Sequence, residues 1–385
     1  MTTTATTTGL TIEVVRDRDG FRSLEHQWRG LYEACPTATP FQTWEWLYTW
    51  WEVYGTRGAL RVVTARAGDR LVGALPLMST GRGRLQFVGT GLSDHLDLLT
   101  DPAHTDDVLD AWIAHLHRPG VRLLDLHEVR PSAQAWQLYG RWPGRSGRYE
   151  QSTCAEFDIA PLDDLLASWK RNVRKNARLA INRVQKGGYT EHWATPEDAG
   201  DMAEALVLAH QRMWDERSIT PAHAEPRFVR FVRTVCERLA PHGQVGLVRL
   251  DAPEGLDDPM SLHNLMFIGR EYIGGWLSGY NEAARTRMTV AVYEDIQGIR
   301  LANREGIGVM SMLRGLEDGK LKTAERMLVN HRLLLAGPGP RAGLAWATQA
   351  APTAAVAALK RWEKDGGTGQ RVTAALRSAR ERVRS

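Results

Sequence analysis

Tyr272-Ile273-Gly274-Gly275-Trp276-Leu277-Ser278 opens a stretch, running to Lys320, that reads as strand, basic turn, helix, strand and charged loop. Residues 272–278 are short, apolar and bounded by glycine, as a buried strand should be. Gly279-Tyr280-Asn281-Glu282 turns the chain, and Arg285-Thr286-Arg287 stands before a helical pattern. That pattern carries Val290, Ala291, Tyr293, Ile296 and Leu301 until Gly306 ends it. Ile307 to Leu313 reads as a second strand, followed by Arg314-Gly315-Leu316-Glu317-Asp318-Gly319-Lys320. Two arginines beside a helix start make an anion site, because free amides and the helix dipole both favour negative charge. The competing reading is a solvated surface turn.

Working outward, the second half predicts helices over Asp163–Val184, Asp198–Glu216 and Arg227–Leu239. Strands follow over Val245–Leu250, Ser261–Ile268 and Tyr272–Ser278. The first half has a parallel order. A strand at Leu10–Val15 leads to a helix over Phe21–Ala34 and another opened by Phe41 to Leu47, with Thr43 as N-cap. Leu60–Ala67 and Arg70–Met78 pair around a Gly68-Asp69 turn, and Leu85–Gly89 and Leu96–Leu99 continue the β pattern. A helix at Val108–Leu116 and a strand at Leu123–Val129 follow. The alternation predicts an α/β (α+β) fold in two domains, 10–150 and 151–336. Residues 1–9 are expected to be a disordered tail. After Gly337-Pro338-Gly339-Pro340, residues 337–385 are expected to form a helical tail with segments at Pro352–Glu363 and Gln370–Val383 around Gly366-Gly367.

The 385 residues suit two domains better than one core, and 43% apolar with 24% charged residues is ordinary for a globular protein. No run approaches a bilayer-spanning length, and the threonine-rich start lacks the features of a signal peptide, so a cytoplasmic location is expected. Cys35, Cys154 and Cys236 are odd in number and far apart, which predicts buried thiols and no metal. Net charge is a mild +4, but Trp169–Gly188 holds seven Lys or Arg residues and no carboxylate. On a helical wheel Val173, Ala177, Ala180 and Val184 line one face, while Arg171, Arg174, Lys175 and Arg178 line the other. Such a face is either solvated or a basic wall beside a polyanionic ligand; RNA would usually add exposed aromatics, and only Trp169 and Trp193 lie near.

Several landmarks together resemble the GNAT N-acetyltransferase superfamily, and within it the bacterial cellulose-biosynthesis (CelD/BcsL-type) acetyltransferases. Phe41-Gln42-Thr43-Trp44-Glu45-Trp46 with Trp50-Trp51 resembles an early helix of that group, and Leu71-Val72-Gly73-Ala74-Leu75-Pro76-Leu77 one of its strands. Phe87-Val88-Gly89 with Ser93-Asp94-His95-Leu96-Asp97, the Lys170–Gly188 helix, Gly279-Tyr280-Asn281, and Arg314-Gly315 with Lys320 follow in the same order. The resemblance covers roughly residues 10–335. It implies two GNAT-like domains in tandem, each a mixed sheet flanked by helices, and acyl transfer from a thioester carrier, usually acetyl-CoA, to an amine or hydroxyl. The carrier's pyrophosphate would sit on the strand–turn–helix at Leu277–Val292, making Arg285, Thr286, Arg287, Met288 and Thr289 its holders. Here the turn is bulkier than the family's, and Ser311 stands where an Asp is expected.

Direct acyl transfer needs a deprotonated nucleophile, a polarised carbonyl and a proton for the leaving thiolate. Asp94 and Asp97 are candidate bases, unless they are carboxylates of an exposed loop; Glu317 with Lys320 is a second candidate pair, and Tyr280 a candidate proton donor. Trp44 and the basic helix are candidate substrate contacts, and His263 reads as structural. Two alternatives stay open. Fem-like aminoacyl transferases pair two such domains and take their acyl group from aminoacyl-tRNA, which the basic helix would suit. A degenerate, non-catalytic binding module would suit the missing glycine in the turn.

Overall fold

Leu10–Val15 alternates buried and half-buried side chains, the period of a strand with one face on a core. Comparable patterning builds the first half, in the order β1 (Ala5–Thr7), β2 (Leu10–Val15), α1 (Arg18–Ser23), α2 (Glu25–Ala34), α3 (Trp44–Tyr54), β3 (Leu60–Ala67), β4 (Arg70–Gly81) and β5 (Arg84–Phe87). It continues through β6 (Leu99–Thr100), α4 (Thr105–Leu116), β7 (Leu123–Val129), α5 (Ala135–Arg141) and β8 (Ser146–Asp158). The second half begins with α6 (Leu162–Ser168), α7 (Arg171–Lys186), β9 (Thr190–Trp193), α8 (Ala199–Asp215) and α9 (Pro226–Leu239). Then come β10 (Val245–Asp251), β11 (Leu262–Ile268), β12 (Ile273–Tyr280), α10 (Glu282–Arg287), α11 (Val290–Glu305), β13 (Val309–Arg314), β14 (Arg326–Ala336) and α12 (Pro340–Lys364). This computed structural model describes residues 5–7, 9–215, 223–315 and 322–364.

All strands belong to one mixed sheet, ordered β1-β2-β3-β4-β5-β7-β14-β8-β13-β12-β11-β10-β9 with β6 on β4. The middle of that order shows that the halves exchange their last strands. β14, from the end of the second half, pairs with β7 of the first. β8, which ends the first half, pairs with β13 of the second. The two exchanged strands pair with each other along Arg326–Leu335. Helices cover both faces, so the α/β fold expected from the alternation is the one found.

One core joins the halves: Trp46 of α3 meets Phe231 of α9 at 5.1 Å, Phe267 of β11 at 5.2 Å and Trp276 of β12 at 5.4 Å, all edge to face. A second core packs α6, α7 and α11 on the second half of the sheet, and a third packs α4 and α5 on the first half.

Several expectations are corrected in detail. The helix over 163–184 breaks at Trp169–Lys170, where Trp169 turns extended and buries its ring. Ala5–Thr7, placed in a disordered tail, pairs with Leu10–Ile12 at the sheet edge. The tail helix runs from Pro340 to Lys364 through Pro352, and Gly366-Gly367 and Gln370–Val383 lie outside the described residues. Cys35, Cys154 and Cys236 are buried free thiols, as their number and spacing led one to expect. Among the described residues no helix is long and apolar enough to cross a membrane.

Burial pushes His115, His223 and His263 down to about 4 and also lowers His95 and His210. These rings fold neutral, whereas unfolded histidines take up protons near pH ~6.5. Their contribution to stability is therefore complete above about pH 6.5 and lost as pH falls towards about 4. Thermal melts between pH 7.5 and 4.5 should show a Tm that begins to fall near pH 6.5; a flat profile would contradict the neutral, buried assignment.

Candidate active site

β12 pairs with β11 along its whole length, but with its parallel neighbour β13 only at Ile273–Met310 and Gly274–Ser311. Beyond Gly274 the two strands diverge and leave a cleft of about 390 Å³. Gly275, Trp276 and Tyr280 line it from β12, Met310 and Met312 from β13, and Ala291, Glu294 and Asp295 from α11. On the other face of the sheet His210, Met213 and Trp214 of α8 complete it.

Local sequence explains the opening. Leu265 pairs with Leu277 and Met266 with Gly275, so Trp276 is the extra residue of a β-bulge and its backbone groups leave the ladder there. Gly279 lets α8 approach closely, since a Cβ there would meet the His210 backbone nitrogen at 2.6 Å. α8 thereby sets His210 against β12. Its Nδ1–H donates to the Ser278 carbonyl at 2.7 Å, and its Nε2 accepts from Trp214 Nε1–H at 3.0 Å. These two partners assign the neutral tautomer, in accord with a pKa lowered chiefly by burial. Asp295 is buried and accepts from Thr323 Oγ1 at 2.8 Å.

The basic turn is partly a helix. Asn281 caps α10 by accepting from the Ala284 amide, so residues 282–287 coil where a turn was expected. Arg285 pairs with Glu282, and Arg287 with Asp258 at 2.6 Å. The Thr286 hydroxyl donates to the Glu282 carbonyl, and Met288 is buried. Thr289 precedes α11 without a side-chain cap, its carbonyl taking the Val292 and Tyr293 amides. The Val290 and Ala291 amides thus begin the helix without partners among the described residues, and Ala291 lines the cleft.

Other candidates take separate places. Asp97 accepts from the Leu98, Gln134 and Ala135 amides at 2.7–2.8 Å and so caps α5; burial, outweighing those amides, pushes it up to about 7. Asp94 pairs with Arg314 at the end of β13, and Glu128 is Arg314's second partner at 3.4 Å. Between them His95 meets the Tyr272 hydroxyl at 2.8 Å and Cys154 at 3.5 Å. Asp94 and Asp97 therefore serve different contacts, and neither lines the cleft. Trp44 stacks on Tyr48 at 4.4 Å and lines a crevice with Arg29 and Glu45, away from the cleft. His263 is buried in β11. Arg171, Lys175 and Arg178 are exposed on α7, with Arg174 half-buried beside them. Tyr280 is the candidate that the cleft includes; Glu317 and Lys320 lie outside the described residues. His210 and Trp214, which the motifs did not single out, could have been flagged by their i, i+4 spacing on one helix face.

The first half repeats the splay. β5 and β7 pair in parallel only at Arg84–Leu123 and Leu85–Leu124. On β7, beside that pairing, Asp125 pairs with Arg84 and, at 2.6 Å, Arg332 and is approached by His127 and Gln86. No group of three or more metal-ligating side chains occurs among the described residues.

The acetyltransferase (GNAT) domain family model matches residues 171–321, which span the cleft. No curated protein matches the sequence. Among solved structures, FemX superposes with a TM-score of 0.56 at 12% identity, covering 80% of this chain and 95% of that one. The C-terminal domain (DUF2156) of a provisionally named lysylphosphatidylglycerol synthetase from Agrobacterium fabrum gives 0.52 at 10% identity over 85% and 96%. A conserved protein of unknown function from Bacteroides thetaiotaomicron gives 0.51 at 12% over 81% and 97%. At such identities these likenesses speak for the fold alone, a large mixed sheet flanked by helices.

Proposed function

We propose that this chain moves an acyl group, foremost acetyl, from acyl-CoA in the β12–β13 cleft to an amine or hydroxyl of a small-molecule, sugar or peptide acceptor. The observation that carries the reading is the open splay itself: an unpaired edge of β12, a bulge at Trp276 and an uncapped α11 converge on one cavity. The free first-turn amides of α11 favour the pyrophosphate, with Arg285 and Arg287 beside them. A thioester lying along β12 would meet the backbone freed by the bulge, which can polarise its carbonyl. Attack by the acceptor forms the new C–N or C–O bond and breaks the C–S bond. The acceptor's proton leaves to solvent and the thiolate gains one, for which Tyr280, a hydroxyl on the cleft wall, is the candidate donor. Glu317 and Lys320 follow β13 in the chain and are retained as candidates; Asp94 and Asp97 would act through the scaffold. The motif order of the CelD/BcsL-type acetyltransferases supports this reading, as does the match over 171–321.

Titration of the purified protein with acetyl-CoA and desulfo-CoA tests it. Micromolar binding is expected, weakening about ten-fold, or ~1.4 kcal/mol, in Arg285→Ala/Arg287→Ala. Absence of binding would overturn it. A tRNA-borne donor, favoured by the seven cations of 169–188, would instead leave RNA on the purified protein, read as absorbance at 260 nm. A non-catalytic module would bind acetyl-CoA and release no thiol with any acceptor.

A further inference from the structure

We infer that the exposed face of α7 docks an acidic protein that presents the acyl group to the cleft as a pantetheine thioester. The inference rests on the acyl-transfer reading and names the donor's carrier.

None of the seven cations from Lys170 to Lys186 has an ion-pair partner among the described residues. Surface arginines of other helices do: Arg233 of α9 meets three carboxylates, Arg285 meets Glu282, Arg287 meets Asp258, and Arg300 meets Glu191. Arg174 and Arg183 donate to backbone carbonyls, and Arg171, Lys175, Arg178 and Lys186 stand exposed. The first turn holds basic residues and no acidic one, against the helix dipole. A merely solvated face gains nothing from that arrangement, whereas an acidic partner is complementary to it.

Two features favour protein over RNA. Leu179, 54% exposed, sits amid the basic residues, as an apolar anchor within a charged rim does at protein interfaces. The aromatics that RNA would stack on are engaged, with Trp169 buried and Trp193 under the Arg304 guanidinium at 4.9 Å. The location suits delivery of a thioester. Arg183 bonds the Arg287 carbonyl, joining α7 to the segment that leads into α11 and the cleft wall. Because Arg285 and Arg287 already pair with carboxylates, a carrier with its own docking surface would add affinity that the turn alone does not give.

The test titrates the intact protein and an Arg171→Glu/Lys175→Glu/Arg178→Glu variant with acetylated bacterial acyl carrier protein, acetyl-CoA and bulk tRNA, at low and high salt. A neutral Gln triple variant and melting curves guard against misfolding. Expected is salt-sensitive binding of the carrier protein, with the ratio of its Kd to that of acetyl-CoA rising at least tenfold in the variants. An unchanged ratio, no carrier-protein binding, or preferential tRNA binding that the variants abolish would each overturn the inference. Failure of acetyl-CoA to bind the intact protein would instead tell against the cleft, and is read separately.

Discussion

Asp125→Ala is expected to cost about 3–5 kcal/mol of stability, the usual consequence of removing one partner of a buried ion pair. Asp125 is fully buried, and Arg84 and Arg332, each mostly enclosed, converge on it from β5 and β14. Burial alone would raise its pKa; the hydrogen bonds from Arg332 and His127 outweigh that and hold the carboxyl well below the usual range. A carboxyl depressed on folding stabilises above the unfolded value, ~3.9, and that contribution disappears as pH falls below it. The loss in Asp125→Ala should thus be large at neutral pH and shrink in acid. Arg332 lies on the exchanged strand, so the variant should also loosen β14 from β7, seen as faster amide exchange along both. Urea denaturation checks the first effect; a midpoint equal to that of the parent at pH 7 would refute it. Asp125→Leu combined with Arg84→Met and Arg332→Met should recover part of the loss, because apolar replacements of all three leave no charge buried alone.

The second large effect is on binding. Gly275→Leu should abolish detectable acetyl-CoA binding, at least ~100-fold or ~2.8 kcal/mol, while leaving the melting temperature near that of the parent. A Cβ at Gly275 would meet Met310 Cε at 3.3 Å and the Ser311 carbonyl at 3.9 Å, so an alanine fits with a small shift. The rest of a leucine would occupy the space into which β12 and β13 diverge. Gly275→Ala is the control, expected to bind within about threefold of the parent. Calorimetry separates the outcomes, and equal binding by the leucine variant would place the carrier elsewhere.

Much of this was legible in the sequence. Thr43 caps α3 by accepting from the Trp46 amide, as its position before an apolar run indicated. Leu60–Ala67 and Leu123–Val129 are strands with those bounds, and Gly306 ends α11 at φ +70°. The strand exchange was not legible. β8 and β14 mix exposed and buried positions without a strict period, and the partners of β14 on β7 lie more than two hundred residues away, where no local pattern reaches. The splay was missed for a related reason: parallel neighbours are chosen by topology, not by residues within either strand. At the site, Tyr280 was singled out by its turn. Asp94 and Asp97 looked like a pair because spacing shows proximity but not direction; the fold sends one to Arg314 and the other to the start of α5. Arg285 and Arg287 were visible as charges, whereas Glu282 and Asp258, which pair with them, became visible only in three dimensions.

A crystal structure of the protein with acetyl-CoA tests the central claim most directly. The account predicts the thioester between β12 and β13, beside the Trp276 bulge, with the pyrophosphate at the first turn of α11. Acetyl-CoA bound in the first half, or crystals whose β12–β13 cleft stays empty at saturating ligand, would contradict it.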